Sequence, residues 1–545
     1  MNKIEICANL VDIFSKEIYP AIIKVEDDKI ASITRTDGKY DNYILPGLID
    51  SHIHIESSLL IPSEFARLAS VHGTVCVVSD PHEIANIIGI AGVRYMIENG
   101  KTVPFKFYFG APSCVPATDF ETSGARLGIA ELEELFDTHG VQYLSEVMNY
   151  PGVINNDPFL LKKIAIAKKR HLQVDGHAPG LSGEDCIKYI SAGITSDHEC
   201  ITTNEALFKL AHSMKIHIRE GSASKDFDTL VSLIDEHYEN IMFCSDDKHP
   251  DDLTRGHIND MVKRAFALGI DKMKVLQCAC INPVKHYGLD VGLLQKGDPA
   301  DFIVVDNLDN FNILHTYIDG VLVASHGKSL IEHVNYGVIN NFNTGKKTVE
   351  EFEVIAESEK IKVIKAIDEQ IMTDVEYEEP LVRKNMVVSD IKRDILKLTV
   401  VNRYENSRPA IGFIKNFGLK SGAIGSSIAH DSHNIIAVGV TDKDIAMVVN
   451  EIIDQKGAIC IFANGGLQTL PLPVCGIMSN GDGYEVAKNY DLMDKAAKAL
   501  GCKLKAPFMT LSFMALLVIP KLKLSDMGLF DVELFDFTDL FGSGD

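Results

Sequence analysis

The 545-residue sequence predicts an α/β protein: a (β/α)8 TIM-type barrel, a small flanking β-sheet domain and an additional C-terminal α/β domain. Three observations lead there. Between residues 46 and 290, eight short apolar runs alternate with amphipathic stretches of helical period. The span they occupy is the ordinary size of such a barrel, about 250 residues. Each run also closes on polar or ionisable residues, and barrels of this kind assemble their active sites at the C-terminal ends of the strands.

The elements follow in order. Residues 1–45 alternate apolar and polar residues between turns at Asp27-Asp28 and Asp37-Gly38, as short strands do. The barrel runs are 45–54, 74–80, 105–112, 141–147, 171–177, 193–199, 214–220 and 241–247. Segments 82–99, 127–139, 159–170 and 256–269 read as helices between them. Residues 291–340 alternate again and are expected to complete the small domain begun by 1–45. The stretch 345–380 is rich in charge and reads as a solvated helix or connector. Residues 381–545, with glycine turns near 421–427, 464–466 and 481–483, form the further domain. Its acidic tail, DVELFDFTDLFGSGD, is expected to fray.

Composition sets the outer bounds. At 46% apolar and 24% charged, the chain carries enough hydrophobic material for a large core. The 53 Lys and Arg against 76 Asp and Glu leave a net charge of −23. Such a surface repels phosphate backbones and anionic lipid, which argues against a nucleic-acid polymer or a membrane as partner. It leaves a neutral or cationic small substrate open. Eleven cysteines without a C-x-x-C pair read as reduced thiols. With neither a signal-type leader nor an apolar run of bilayer length, a soluble cytoplasmic protein is expected.

The chemistry lies at the strand ends. His52 and His54 are two apart on a strand, so both imidazoles face one side and can reach one ion. Glu146 ends the fourth run, where a buried carboxylate is costly unless paired or metal-bound. His177 and His198 end the adjacent fifth and sixth runs. Asp246 ends the eighth, which in a closed barrel lies beside the first and so beside His52 and His54. Each residue alone also fits a structural role, as a core histidine, a salt bridge or a helix cap. Together they exceed the needs of one tetrahedral ion and suit two. In this reading Glu146 bridges, His52, His54 and Asp246 hold one ion, and His177 and His198 hold the other. A thiolate-free set of this kind suits Mn²⁺, Fe²⁺ or Zn²⁺. Two ions sharing a water make a nucleophile at neutral pH, with Asp246 as proton shuttle. Hydrolysis at an electron-poor carbon is the reaction class. His82 and Glu83, Ser113 and Asp119, and Arg219 and Glu220 follow the second, third and seventh runs as candidate substrate contacts. His430, Asp431 and His433, in a Gly/Ser-rich loop of the last domain, are further candidate substrate contacts if that loop closes over the site as a lid, which the sequence leaves open.

The H-x-H after PGLID, the two later histidines and the late aspartate resemble the amidohydrolase superfamily. Many members bridge their metals with a carboxylated lysine. Glu146 stands there instead, which sets the chain apart from hydantoinase-type enzymes. Longer stretches resemble the bacterial adenine deaminase family: PGLIDSHIHIESS (46–58), SDPHEIANI (79–87), SEVMNYPGV (145–153), DGHAPGLSG (175–183), SDDKHPDDL (245–253) and GSSIAHDSHNI (425–435). The resemblance covers nearly the whole chain. It implies hydrolysis of adenine to hypoxanthine and ammonia in purine salvage, with two Mn²⁺ per chain, or Fe²⁺ or Zn²⁺. Attack falls on C6, and Asp246 shuttles the proton, assisted by Glu83 or Asp247. A homo-oligomer, dimer or higher, is expected. The rivals are a related hydrolase acting on another cyclic amidine, an amide or an N-acetyl substrate, and a catalytically dead barrel scaffold.

Overall fold

The structure, a computed structural model, describes residues 3–542. All eight predicted barrel runs form strands. They are β1 (Leu48–Ile53), β2 (Thr74–Ser79), β3 (Lys106–Phe109), β4 (Tyr143–Val147), β5 (Gln173–Gly176), β6 (Ser196–Asp197), β7 (Lys215–Arg219) and β8 (Ile241–Cys244). β1–β3 and β4–β8 pair in parallel, and the bridges Ala111–Leu144 and Ile53–Asp246 close the ring. Strands such as TVCVVS and IMFC are buried along their whole length. That is why they read as continuous apolar runs: parallel strands are covered on both faces. At Gly176 a Cβ would stand 2.5 Å from the Ser196 carbonyl, so glycine lets β5 lie against β6 with His177 at its end.

The helices cover the barrel's outer face. Pro158–Lys169 begins on Asp157, whose carboxylate accepts from the Phe159 and Leu160 amides, with proline at its first position. A separate eight-stranded sheet takes Lys3–Asp12, Glu17–Glu26, Lys29–Arg35 and Tyr43–Pro46 from the start of the chain. It takes Phe302–Val305, Ile313–Ile318, Val321–Ser325 and Lys328–Ser329 from after the barrel.

The segment 345–380 departs from expectation. It contains β9 (Ile361–Ala366) and β10 (Thr373–Glu378), an antiparallel pair on the edge of the C-terminal eight-stranded sheet. In IKVIKA, Lys362 and Lys365 are partly exposed while Ile361, Val363, Ile364 and Ala366 are buried. Lys365 meets Glu376 across the pair at 2.7 Å. The charge sits at two partly exposed positions on opposite faces of a strand near the sheet edge, not on a helix. The tail also differs from expectation. Gly528–Asp531 and Asp536–Phe537 are strands, and Phe537 packs edge-on against Phe120 at 5.5 Å. Residues 543–545 of that tail lie outside the described residues. All eleven cysteines are free. Among the described residues, no helix is long and apolar enough to cross a membrane.

Candidate metal centre and active site

The mouth of the barrel gathers the expected side chains around Glu146. Its carboxylate lies 3.3 Å from His54 Nε2, 3.2 Å from His198 Nε2 and 2.8 Å from His177 Nδ1. Across from it, Asp246 Oδ1 lies 3.2 Å from His54 Nε2 and 3.6 Å from His52 Nε2. Closure of the ring sets that last juxtaposition: the Asp246 amide donates to the His52 carbonyl at 3.0 Å. All six residues are buried. His54 is oriented from behind, since its Nδ1 meets the Asp80 carbonyl at 3.1 Å and is assigned as the donor, which turns Nε2 inward. His52 and His198 stack at 3.9 Å between ring centroids.

The electrostatics follow from this crowding. Burial alone would push the Glu146 carboxyl up, but His177 and the bonds from His198 and His54 hold it well below the usual range. Burial likewise opposes ionisation of Asp246, and Arg219, with His52 and His54, reverses the balance. Arg219 is itself fully buried. It bonds Asp246 Oδ2 at 2.7 Å and forks onto Glu199, one arm at 2.8 Å.

Loop 427–434 of the C-terminal domain reaches this mouth. His430 Nδ1 meets Glu83 Oε1 at 2.6 Å, and His433 Nε2 bonds the other oxygen, Oε2. His82 Nε2 lies 3.4 Å from Glu83 Oε1, and its Nδ1 meets Asp80 at 3.0 Å. Burial disfavours charge on Glu83, yet the histidines hold its carboxyl well below the usual range. His430 rises to about 9 because Glu83 outweighs its burial. Burial lowers His433 to about 4. The same domain supplies an apolar ceiling of Ile371, Phe513 and Leu516 over the cavity.

Three expected substrate contacts are not brought to this cavity. Asp119 is 75% exposed and pairs with Arg126 on the surface. Glu220 faces Arg264 at 2.9 Å and Lys225 at 3.5 Å, one residue past the strand position that aims Arg219 inward. Ser113 is buried, but its hydroxyl donates to the Glu146 carbonyl at 2.6 Å and so fixes backbone. Glu199 and Asp80 are at the site and were not expected there. Glu199 directly follows His198, and the period-two rule does not reach it because β6 is only two residues long. Nothing in the sequence signals the ceiling residues, which arrive from a distant domain.

A closed parallel barrel whose mouth gathers four histidines with carboxylates is the architecture of the amidohydrolases, and the Amidohydrolase family profile matches residues 43–323. A second profile, the adenine deaminase C-terminal domain, matches residues 370–536. The chain is 55% identical to an adenine deaminase of Sulfurovum sp. (strain NBC37-1), over 98% of this chain and 99% of that one. It is 52% identical to an adenine deaminase of Salinibacter ruber, over 98% of each chain. An adenine deaminase of Borreliella burgdorferi is 50% identical over 99% of this chain and all of its own. The chain belongs to the adenine deaminase family of the amidohydrolases.

Proposed function

We propose that this chain hydrolyses adenine to hypoxanthine and ammonia at a two-metal centre in the barrel mouth. The observation that carries the reading is the convergence of His54, His177 and His198 on one buried carboxylate, Glu146, with Asp246 and His52 opposite. The donors suit divalent ions. Nitrogens and oxygens of His52, His54 and Asp246, of His52, Glu146 and His198, and of His177, His198 and Glu199 fall into sets whose members lie within 4.8 Å of one another. His52 Nε2 is buried without a hydrogen-bond partner, an expensive arrangement for a structural histidine and an ordinary one for a ligand. We assign His52, His54 and Asp246 to one ion, His177 and His198 to the other, and Glu146 to both. Four imidazoles with two carboxylates suit Mn²⁺, Fe²⁺ or Zn²⁺; of these we propose Mn²⁺, which the family resemblance implies.

When bound, the ions supply a water of lowered pKa. The chain's own groups do the rest. Asp246 takes a proton from the water as oxygen bonds to C6 and returns it to the exocyclic nitrogen, so that the C6–N bond breaks and ammonia leaves. Arg219 holds the far oxygen of Asp246, leaving Oδ1 turned toward His52 and His54. Glu83, fixed by His430 and His433, exchanges a proton with the purine ring. The buried ceiling excludes bulk water, which strengthens each of these interactions. Purine salvage in the cytoplasm, as a homo-oligomer, completes the reading.

The test is ammonia release from adenine by protein stripped of metal and reloaded with Mn²⁺, with adenosine and cytosine in parallel. Turnover of adenine that returns with metal is the expected result. Two ions bound per chain without turnover would reject the substrate.

A further inference from the structure

The catalytic cavity is narrow and lined almost wholly by buried side chains. Its free volume is about 30 Å³. One water needs about 10–15 Å³ of such room, so side chains of the wall must move before a purine fits. A second cavity, of about 250 Å³, adjoins it, and the two share Glu199, Arg219 and Ile371 as common wall. The outer cavity is bounded by Asp226 on the barrel side and by Glu369, Gln370 and Met372 from the turn between β9 and β10. The 350 Å³ cleft beyond β3, around Cys114 and Lys163, has no wall residue in common with the catalytic cavity.

Of the three shared residues, two are tied down. Glu199 and Arg219 bond each other, and Arg219 also bonds Asp246. Ile371 is apolar and has no such tether on its side chain. Its backbone is fastened: the fully buried Lys523 Nζ donates to the Ile371 carbonyl at 2.8 Å and to the Phe513 carbonyl at 2.9 Å. One side-chain nitrogen thus pins two pieces of the ceiling. Just before Ile371, Glu369 sits in the left-handed region at φ 61°, which costs free energy for a non-glycine residue. Lys505 holds that glutamate at 2.6 Å.

We infer that the purine passes from the outer cavity to the catalytic one between the barrel and the β9–β10 turn. Ile371 is the side chain that must turn aside to admit it. The inference rests on the proposed action on adenine. Lys523 keeps the backbone in place, so the movement is a rotation of the isoleucine and a flexing of the turn. A bulkier residue at 371 slows passage and a smaller one speeds it.

The experiment follows binding of 2-aminopurine, a fluorescent base without the 6-amino leaving group, to metal-loaded protein by stopped flow. The wild type is compared with Ile371→Ala and Ile371→Trp. The expected result is association faster by several-fold for Ile371→Ala and slower by roughly tenfold for Ile371→Trp, within the range that association rates span among variants of one site. Opposite directions in the two variants cannot arise from a general loss of fold. Equal association rates in all three proteins would overturn the route while leaving purine binding intact. No binding to metal-loaded wild type would overturn the route and the adenine reading together.

Discussion

Replacing His433 tests whether the C-terminal domain takes part in the chemistry through Glu83. The Glu83 carboxylate is buried, with one oxygen on His433 and the other 2.6 Å from His430. His430, raised to about 9, carries the balancing charge at neutral pH. His433, lowered to about 4, is neutral there and contributes one hydrogen bond to an ionised acceptor. Such a bond is worth about 1.5–3 kcal/mol. If Glu83 works in the transition state, His433→Ala lowers kcat/KM by about 10- to 150-fold. His433→Gln, whose amide still donates, recovers part of that loss. The assay is adenine turnover in a cycle of His433→Ala, Glu83→Gln and the double variant, with metal content checked in each. Residues acting through one another show coupling of at least about 0.5 kcal/mol. The same fractional loss from His433→Ala in both backgrounds would refute the claim that His433 works through Glu83.

Three other outcomes follow from the geometry. Asp246→Asn loses about 10²- to 10⁴-fold in turnover, the usual worth of a positioned proton carrier, while elemental analysis still finds most of the metal; near-normal turnover would remove Asp246 from the proton path. Asp119→Ala leaves kcat/KM within about twofold, because an exposed ion pair contributes little, and a larger loss would return that loop to the site. Burial lowers the Lys523 amine to about 7 from its ordinary 10.5, so between those values the unfolded chain holds the extra proton and folded stability rises with pH. In Lys523→Met that contribution, at most about 1.36 kcal/mol per pH unit, disappears, and unfolding midpoints of both proteins across that range would show equal slopes if the argument were wrong.

What could be read from the sequence was whatever the strand period controls. His52 and His54 share a face because they are two apart. Asp246 meets them because a parallel ring must close, and the observed bond from its amide to the His52 carbonyl is that closure. The period fails where strands are short or side chains leave the strand axis. β6 spans Ser196–Asp197 alone, so Glu199 is already in a loop, and its place beside Arg219 depends on tertiary packing. Asp119 shows the converse error: a carboxylate in the long irregular loop after β3, ten residues beyond the strand's end, that the loop carries to the surface. In the 345–380 stretch the signal was present and outweighed by charge density. Ile361 and Val363, two apart and both buried with Lys362 between them, carry the strand period.

The joint between the two halves is electrostatic as much as apolar, and this bears on what the C-terminal domain is for. Without loop 427–434, Glu83 would keep only His82 nearby, at 3.4 Å, and a buried carboxylate so poorly compensated costs several kcal/mol or takes up a proton. Without Ile371, Phe513 and Leu516, the cavity would stand open to water, and the charges around Glu146 would be screened. Phe513 stacks on His430 at 5.0 Å, so the ceiling and the charged contact are one unit. The barrel contributes the proposed metal ligands, but the dry, charge-balanced environment in which they would act is built by both domains. A change in the joint is therefore expected to alter kcat as well as substrate access, even though none of its residues is among the six assigned to metal.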